Sequence, residues 1–300
     1  MRPLITASLL FLASAFHAQV ALAQLSPAAT WAAHAANEYQ VYPNLTYLVA
    51  NNYQAKLDIY KRRDVAPQPT LIWIHGGGWT GGTKEEAIPA LMPWFEMGWN
   101  VVNVEYRLAK VSLAPAAVED CLCALRYVAA NAATYSIDTA RLVVSGDSAG
   151  GHLALTTGMI PESAGLDRQC PGVPLPKVAA IINWYGITDV ADLLDGPNRK
   201  TYAVAWLSSM PNRDEIARRV SPLSFVRDGL PPILTIHGDA DPTVPYQHAL
   251  RLQEALAKSG VQHQLVTIPG GKHGGFTPEE RTRIFVAIGE FLAKNNLKAD

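Results

Sequence analysis

The chain has 300 residues, is 49% hydrophobic and only 17% charged, and carries a formal net charge of -1. That balance excludes a disordered chain, which combines low hydrophobicity with high net charge. It also excludes a nucleic-acid partner, because no Lys/Arg stripe is present to neutralise phosphates. Three cysteines are too few for a disulfide-stapled scaffold, and the length suits one α/β domain with a large core.

The first segment reads as an address. Arg2 supplies a positive start, residues 4–16 are predominantly apolar, and Ala21-Leu22-Ala23 offers a small-x-small cleavage site before Gln24. This is the secretory signal pattern. Residues 1–23 are expected to be removed, leaving residues 24–300 as a single periplasmic or secreted domain. The apolar run is too short to cross a hydrocarbon core of ~30 Å, and no membrane span is expected in the mature chain. Export permits a disulfide. Cys121 and Cys123 sit two apart in a helical pattern and so point to different sides. Cys170, in a Pro/Gly loop, can reach either of them. Cys123–Cys170 is the favoured pairing, and three buried free thiols are the alternative. Neither a His nor a second Cys lies near Cys170 at ligand spacing, so no metal is expected there.

Residues 47–59 read as two extended segments about a turn at Asn51-Asn52. Residues 71–75 form a short apolar run ending in glycines, predicted as a buried strand. Residues 85–97 read as a helix despite Pro89 and Pro93. A strand over 100–105, a helix over 114–131, a strand over 141–145 and a helix over 149–159 follow. Residues 178–184 are predicted as a strand. Residues 187–229 break the rhythm with Asp, Asn, Pro and Arg clusters, and read as a lid-like insertion over the carboxyl edge of the sheet. The pattern then resumes with a strand (232–237), a helix (246–258), a strand (264–268) and a closing helix (278–294). Strand-helix alternation of this kind predicts a mostly parallel sheet covered on both faces.

The chemistry is expected at strand ends. Gly146-Asp147-Ser148-Ala149-Gly150 follows a strand and opens a helix, which is the context of a nucleophile elbow. A serine there sits on a tight turn that leaves no room for side chains at the flanking glycines. The helix N-terminus behind it favours developing negative charge. His75-Gly76-Gly77-Gly78-Trp79 also follows a strand. Its glycines let backbone N–H groups approach a substrate closely, and Gly77, Gly78 and Ala149 are the expected oxyanion donors. The loop lacks the Gly-Lys-Ser/Thr ending of a phosphate cradle, and His75 reads as a structural hydrogen-bonder. A serine nucleophile needs a base and an orienting acid. His273, inside Gly270-Gly271-Lys272-His273-Gly274-Gly275 after the last strand, is the expected base. The acid is Asp241, with Asp239 as its rival. Trp79, Trp184, Tyr185 and Trp206 are candidates to shape the acyl or alcohol pocket. Tyr106-Arg107 and Glu119-Asp120 are expected to brace the loops.

The stretches WIHGGGW (73–79), EYRL (105–108), PAAVEDC (115–121), SGDSAGGH (145–152), NWYGITD (183–189), HGDADPTVP (237–245) and PGGKHGG (269–275) occur in one order along the chain. In these stretches the sequence resembles an α/β-hydrolase of the secreted carboxylesterase and feruloyl-esterase-like group, close to the hormone-sensitive-lipase-type esterases. The resemblance implies a Ser-Asp-His triad in the order Ser148, Asp241, His273, with the acid at the fifth residue of the His237 stretch. It implies an acyl-enzyme mechanism with no metal or organic cofactor, acting on a small-molecule or polysaccharide-linked ester. The cysteines and the particular 187–229 insert depart from the family pattern. An amide hydrolase of the peptidase or arylformamidase-like kind would use the same triad, and a non-catalytic binding module would be expected to lack the base or the nucleophile.

Overall fold

The computed structural model describes residues 25–63, 66–170, 172 and 174–299. The expected signal segment, 1–23, lies outside the described residues. The chain starts with α1 (Pro27–Glu38), followed by β1 (Tyr39–Ala50), β2 (Tyr53–Arg62), β3 (Gln68–Ile74), α2 (Ile88–Glu96) and β4 (Asn100–Val104). Next come α3 (Ala116–Ala130), β5 (Ile137–Asp147), α4 (Ala149–Met159), β6 (Ala180–Trp184), α5 (Thr201–Leu207) and α6 (Arg213–Arg219). The last elements are β7 (Ile233–Gly238), α7 (Gln247–Lys258), β8 (His263–Ile268) and α8 (Pro278–Lys294).

The strands form one sheet in the order β1-β2-β4-β3-β5-β6-β7-β8. The pairs β1/β2 and β2/β4 are antiparallel, and every later pair is parallel. Strands β3, β4, β6 and β7 are buried along their whole length, as continuous apolar runs in a doubly covered sheet must be. Helices α3 and α4 pack on one face, and α2 and α8 on the other. Thr277 and Glu280 close a reciprocal capping box at the start of α8, with Pro278 in its first turn.

Several boundaries differ from the sequence reading. Strand β1 begins at Tyr39 rather than near residue 47. Pro43 and Asn44 hide its alternation, and the register shifts between Tyr42 and Leu45. Strand β5 begins at Ile137. The expected helix over 85–97 is a 3-10 turn (Glu85–Ala87) followed by α2. Helix α1 was not expected; it buries no residue, so it has no apolar stripe to betray it. Asn51 and Asn52 do form the β1–β2 turn, both at positive φ (50° and 65°), as a tight two-residue hairpin requires.

Cys123 and Cys170 are bonded, and Cys121 is a buried free thiol. This is the favoured pairing. The bridge ties α3 to the loop before β6. Segment 187–229 holds α5, α6 and three short 3-10 turns, and no strand. It contacts the loop that follows β7. Tyr202 Oη donates to the Thr243 carbonyl at 3.2 Å, and Lys200 Nζ to the Pro242 carbonyl at 2.8 Å. Arg251 of α7 binds Asp189 and Asp192 at 3.1 and 3.0 Å. Among the described residues no helix is long and apolar enough to cross a membrane.

Candidate active site

The register of the parallel strands brings several loops to one edge. Ile74 pairs with Gly146, Asp147 with Trp184, and Gly238 with Ile268. The chain therefore leaves β3, β5, β6, β7 and β8 at about the same height. Ser148 stands on the turn between β5 and α4 with φ 55° and ψ -118°. A non-glycine residue in that region is strained, and the Ser148 N–H is fixed by the Trp184 carbonyl at 2.9 Å. The flanking glycines are sterically required. A Cβ on Gly146 would lie 2.3 Å from the Ile74 carbonyl oxygen, and one on Gly150 would lie 2.0 Å from it.

His273 Nε2 lies 2.8 Å from Ser148 Oγ, and His273 Nδ1 lies 2.7 Å from Asp241 Oδ2. The other Asp241 oxygen accepts the N–H groups of Thr243 and Val244 at 2.7 and 3.0 Å. Burial pushes the Asp241 carboxyl up. The hydrogen bonds from His237, His273 and Val244 outweigh burial and hold it well below the usual carboxylate range. Asp241 is thus a fixed anion. Asp239, the rival acid, instead accepts the Gly270 N–H at 2.6 Å and ties the two loops together. Among the described histidines, only His273 reaches the serine.

Gly77 and Gly78 have φ of 111° and 59°, backbone conformations that favour glycine. Among the described residues their N–H groups meet no protein acceptor, and Ala149 opens α4, where first-turn N–H groups have no intrahelical partner. Asp147, between Gly146 and Ser148, braces the loop by accepting the Gly76 N–H at 3.0 Å. Burial pushes its carboxyl up against that bond. Tyr106 Oη donates to the His75 carbonyl at 3.1 Å. Arg107 grips Asp120 through Nε at 2.9 Å and Nη2 at 2.6 Å. The expected bracing by these residues is present.

Two of the four aromatic pocket candidates are corrected. Trp79 and Trp206 are fully buried and stack on each other at 4.2 Å and 13°. They fill the core beneath the glycine loop, because each indole gains more from burial and stacking there than from lining an open site. Trp79 Nε1 donates to His152 Nδ1 at 3.2 Å, and His152 Nε2 donates to the Val220 carbonyl at 2.7 Å. His152 is one turn past Ser148, so it links the elbow helix, the glycine loop and the insertion. Burial drives its pKa down to about 3, against the opposing pull of the Val220 carbonyl. Trp184 and Tyr185 line a groove of about 690 Å³ between α2 and α8, which neither Ser148 nor His273 lines. The supporting roles of His237, Asp147 and His152 were missed in the sequence. Asp147 sits inside the elbow motif and His152 two residues past it, and that motif was the signal that could have pointed to them. Among the described residues, no group of three or more His, Cys, Asp or Glu converges to hold a metal.

The BD-FAE family model matches residues 57–256. Esterase LipQ of Mycobacterium tuberculosis is 31% identical over 251 residues, covering 79% of this chain and 58% of that protein. Esterase LipC of the same organism is 29% identical over 227 residues, covering 73% of this chain and 56% of that protein. The chain thus spans under two thirds of the length of these curated relatives. A truncated carbohydrate esterase from gut microbiota superposes with a TM-score of 0.72 at 26% identity, covering 85% of this chain and 97% of that one. Esterase 2 of Thermogutta terrifontis with bound propionate gives 0.72 at 27% identity, covering 88% and 96%.

Proposed function

The chain belongs to the BD-FAE family and has the α/β-hydrolase fold, and from that premise we propose that it hydrolyses carboxylic esters through Ser148, His273 and Asp241. The observation that carries this reading is the unbroken hydrogen-bond chain from Asp241 through His273 to Ser148, with separations of 2.7 and 2.8 Å. His273 Nε2 takes the proton of Ser148 Oγ as the oxygen attacks the ester carbonyl. Asp241 holds the Nδ1–H tautomer and stabilises the imidazolium. The N–H groups of Gly77, Gly78 and Ala149 receive the oxyanion. The tetrahedral intermediate collapses, His273 protonates the departing alcohol, and an acyl group stays on Ser148. Water, activated by His273, then releases the acid and restores the serine.

A carbohydrate esterase and a propionate-bound esterase among the similar structures support a small or polysaccharide-linked alcohol carrying a short acyl group. Related crystals of Thermogutta terrifontis esterase 2 phosphoramylated by tabun support a serine-type nucleophile. Export, with cleavage after Ala23, is part of the proposal, and a mature N-terminus at Gln24 by intact mass would bear it out. The test of activity is a panel of p-nitrophenyl esters and p-nitroanilide peptides, with Ser148→Ala as the blank. Ester turnover abolished in the blank is the expected result. Near-normal turnover in the blank removes the assignment, and faster anilide than ester cleavage replaces it with amide hydrolysis.

A further inference from the structure

The groove between α2 and α8 has a role that the triad alone does not give it. Trp73 and Trp184 line it from the sheet, Phe285 from α8, Ala90 and Pro93 from α2 and Met97 from just past that helix, and Glu86, Glu96 and Arg281 line it as well. Its volume, about 690 Å³, lies within the ~300–1,000 Å³ typical of ligand sites, and its lining has their mainly apolar character. Neither Ser148 nor His273 lines it. Two residues at its catalytic end do, Asp147 and Tyr185. Asp147 directly precedes the nucleophile and is committed to the Gly76 N–H. Tyr185 is the other wall. Its ring centroid lies 4.8 Å from that of His273, at 63°. One ring therefore borders both the imidazole and the groove.

Tyr185 is held in that place from several sides. Its N–H donates to the Ile236 carbonyl at 2.7 Å, and its φ of 40° lies in the left-handed region. Phe276 meets its ring at 5.8 Å. A Cβ on Gly274, the residue after His273, would lie 3.0 Å from Tyr185 Oη. The tyrosine therefore fills the space between the base loop and the groove rather than swinging free.

We propose that Tyr185 determines the acyl size that the site accepts, and that the α2–α8 groove is the space a longer acyl chain enters when this ring is removed. The inference rests on the esterase reading above, and it adds which side chain limits the substrate. With Tyr185 present, the wild type favours butyryl or shorter acyl groups. Without it, each further methylene placed in the apolar groove raises kcat/KM about fourfold, the equivalent of roughly 0.8 kcal/mol per buried CH2.

The test compares p-nitrophenyl butyrate with p-nitrophenyl octanoate. With four more methylenes in octanoate than in butyrate, the ratio of kcat/KM, octanoate over butyrate, is expected to rise by about 250-fold when all four are buried and by no less than about tenfold in Tyr185→Ala, and to stay within twofold in Tyr185→Phe. Adding Ala90→Phe to Tyr185→Ala refills the groove and should return the ratio to its starting value. An unchanged ratio in active Tyr185→Ala overturns the proposal. So does a rise that Ala90→Phe fails to reverse, or a gain confined to long-alcohol acetates, which would give the groove to the alcohol. If Tyr185→Ala loses turnover by disturbing His273, the same comparison is made by equilibrium binding of the two esters in the Ser148→Ala background. Tightening for octanoate alone supports the proposal, and no change in relative affinity overturns it. A wild type that cleaves no ester would instead refute the esterase reading itself.

Discussion

The Ser148 hydroxyl is positioned by strain and the His273 imidazole by a carboxylate, so their removal has different consequences. Ser148→Ala and His273→Ala should each lower kcat by about 10⁶, the scale seen when either partner of such a unit is lost. Asp241→Asn should lower it less, by roughly 10⁴, because geometry survives while the favoured tautomer is lost. Steady-state kinetics on the three variants check the order, and equal losses in all three would contradict the separate roles. That these three side chains would meet was legible in the sequence because each is marked by local chain geometry: flanking glycines for Ser148 and His273, a strand end for Asp241. The residues that support them were not. Asp147 reaches Gly76, and His152 reaches Trp79 and Val220, across about 70 residues of chain. Such partners exist only after the sheet has formed. Trp79 and Trp206 were misplaced for the same reason, since the composition of a loop does not say which way a buried indole faces.

Among the elements, the elbow and the bridge from Cys123 to Cys170 make separable predictions. Gly150→Ala places a methyl 2.0 Å from the Ile74 carbonyl oxygen, so strand β3 and helix α4 must move apart. The expected cost is about 3 kcal/mol or more, a Tm fall on the order of 6 °C or greater for a chain of this size. Thermal unfolding followed by circular dichroism reads it, and an unshifted Tm would mean that the elbow is looser than its packing. The disulfide closes a loop of 47 residues. In the chain-entropy account, its removal costs about 2–4 kcal/mol. Reductant should therefore lower the Tm of the wild type but leave a Cys123→Ser/Cys170→Ser double variant unmoved. A wild type indifferent to reductant would show that the bridge contributes nothing. At this scale the parallel strands were legible, because an apolar run buried on both faces has a plain signature. The first half of β1 was not, because Pro43 and Asn44 interrupt its alternation at a register shift.

For the whole molecule, acidity is the condition that tests how the elbow helix, glycine loop and insertion hold together. All three meet at His152, whose two ring nitrogens are both used by its neutral form. A proton on Nδ1 would face the Trp79 N–H instead of accepting from it. Because burial holds this histidine near a pKa of about 3, the folded chain stays neutral there while the unfolded chain takes up a proton below about pH 6.5. The unfolded state then binds more protons, so stability falls as pH drops from about 6.5 toward 3, by roughly 1.4 kcal/mol per pH unit for this one group. His248, buried and lowered to about 4 beside Arg251, adds a slope of the same sign. Urea unfolding at pH 7, 6, 5 and 4 should show this loss. His152→Gln keeps a donor and an acceptor but cannot titrate, so its slope between pH 6 and 4 should be shallower by about one proton. Parallel slopes for the two proteins would mean that His152 gains its proton without unfolding, and that the junction of helix, loop and insertion yields locally rather than with the fold.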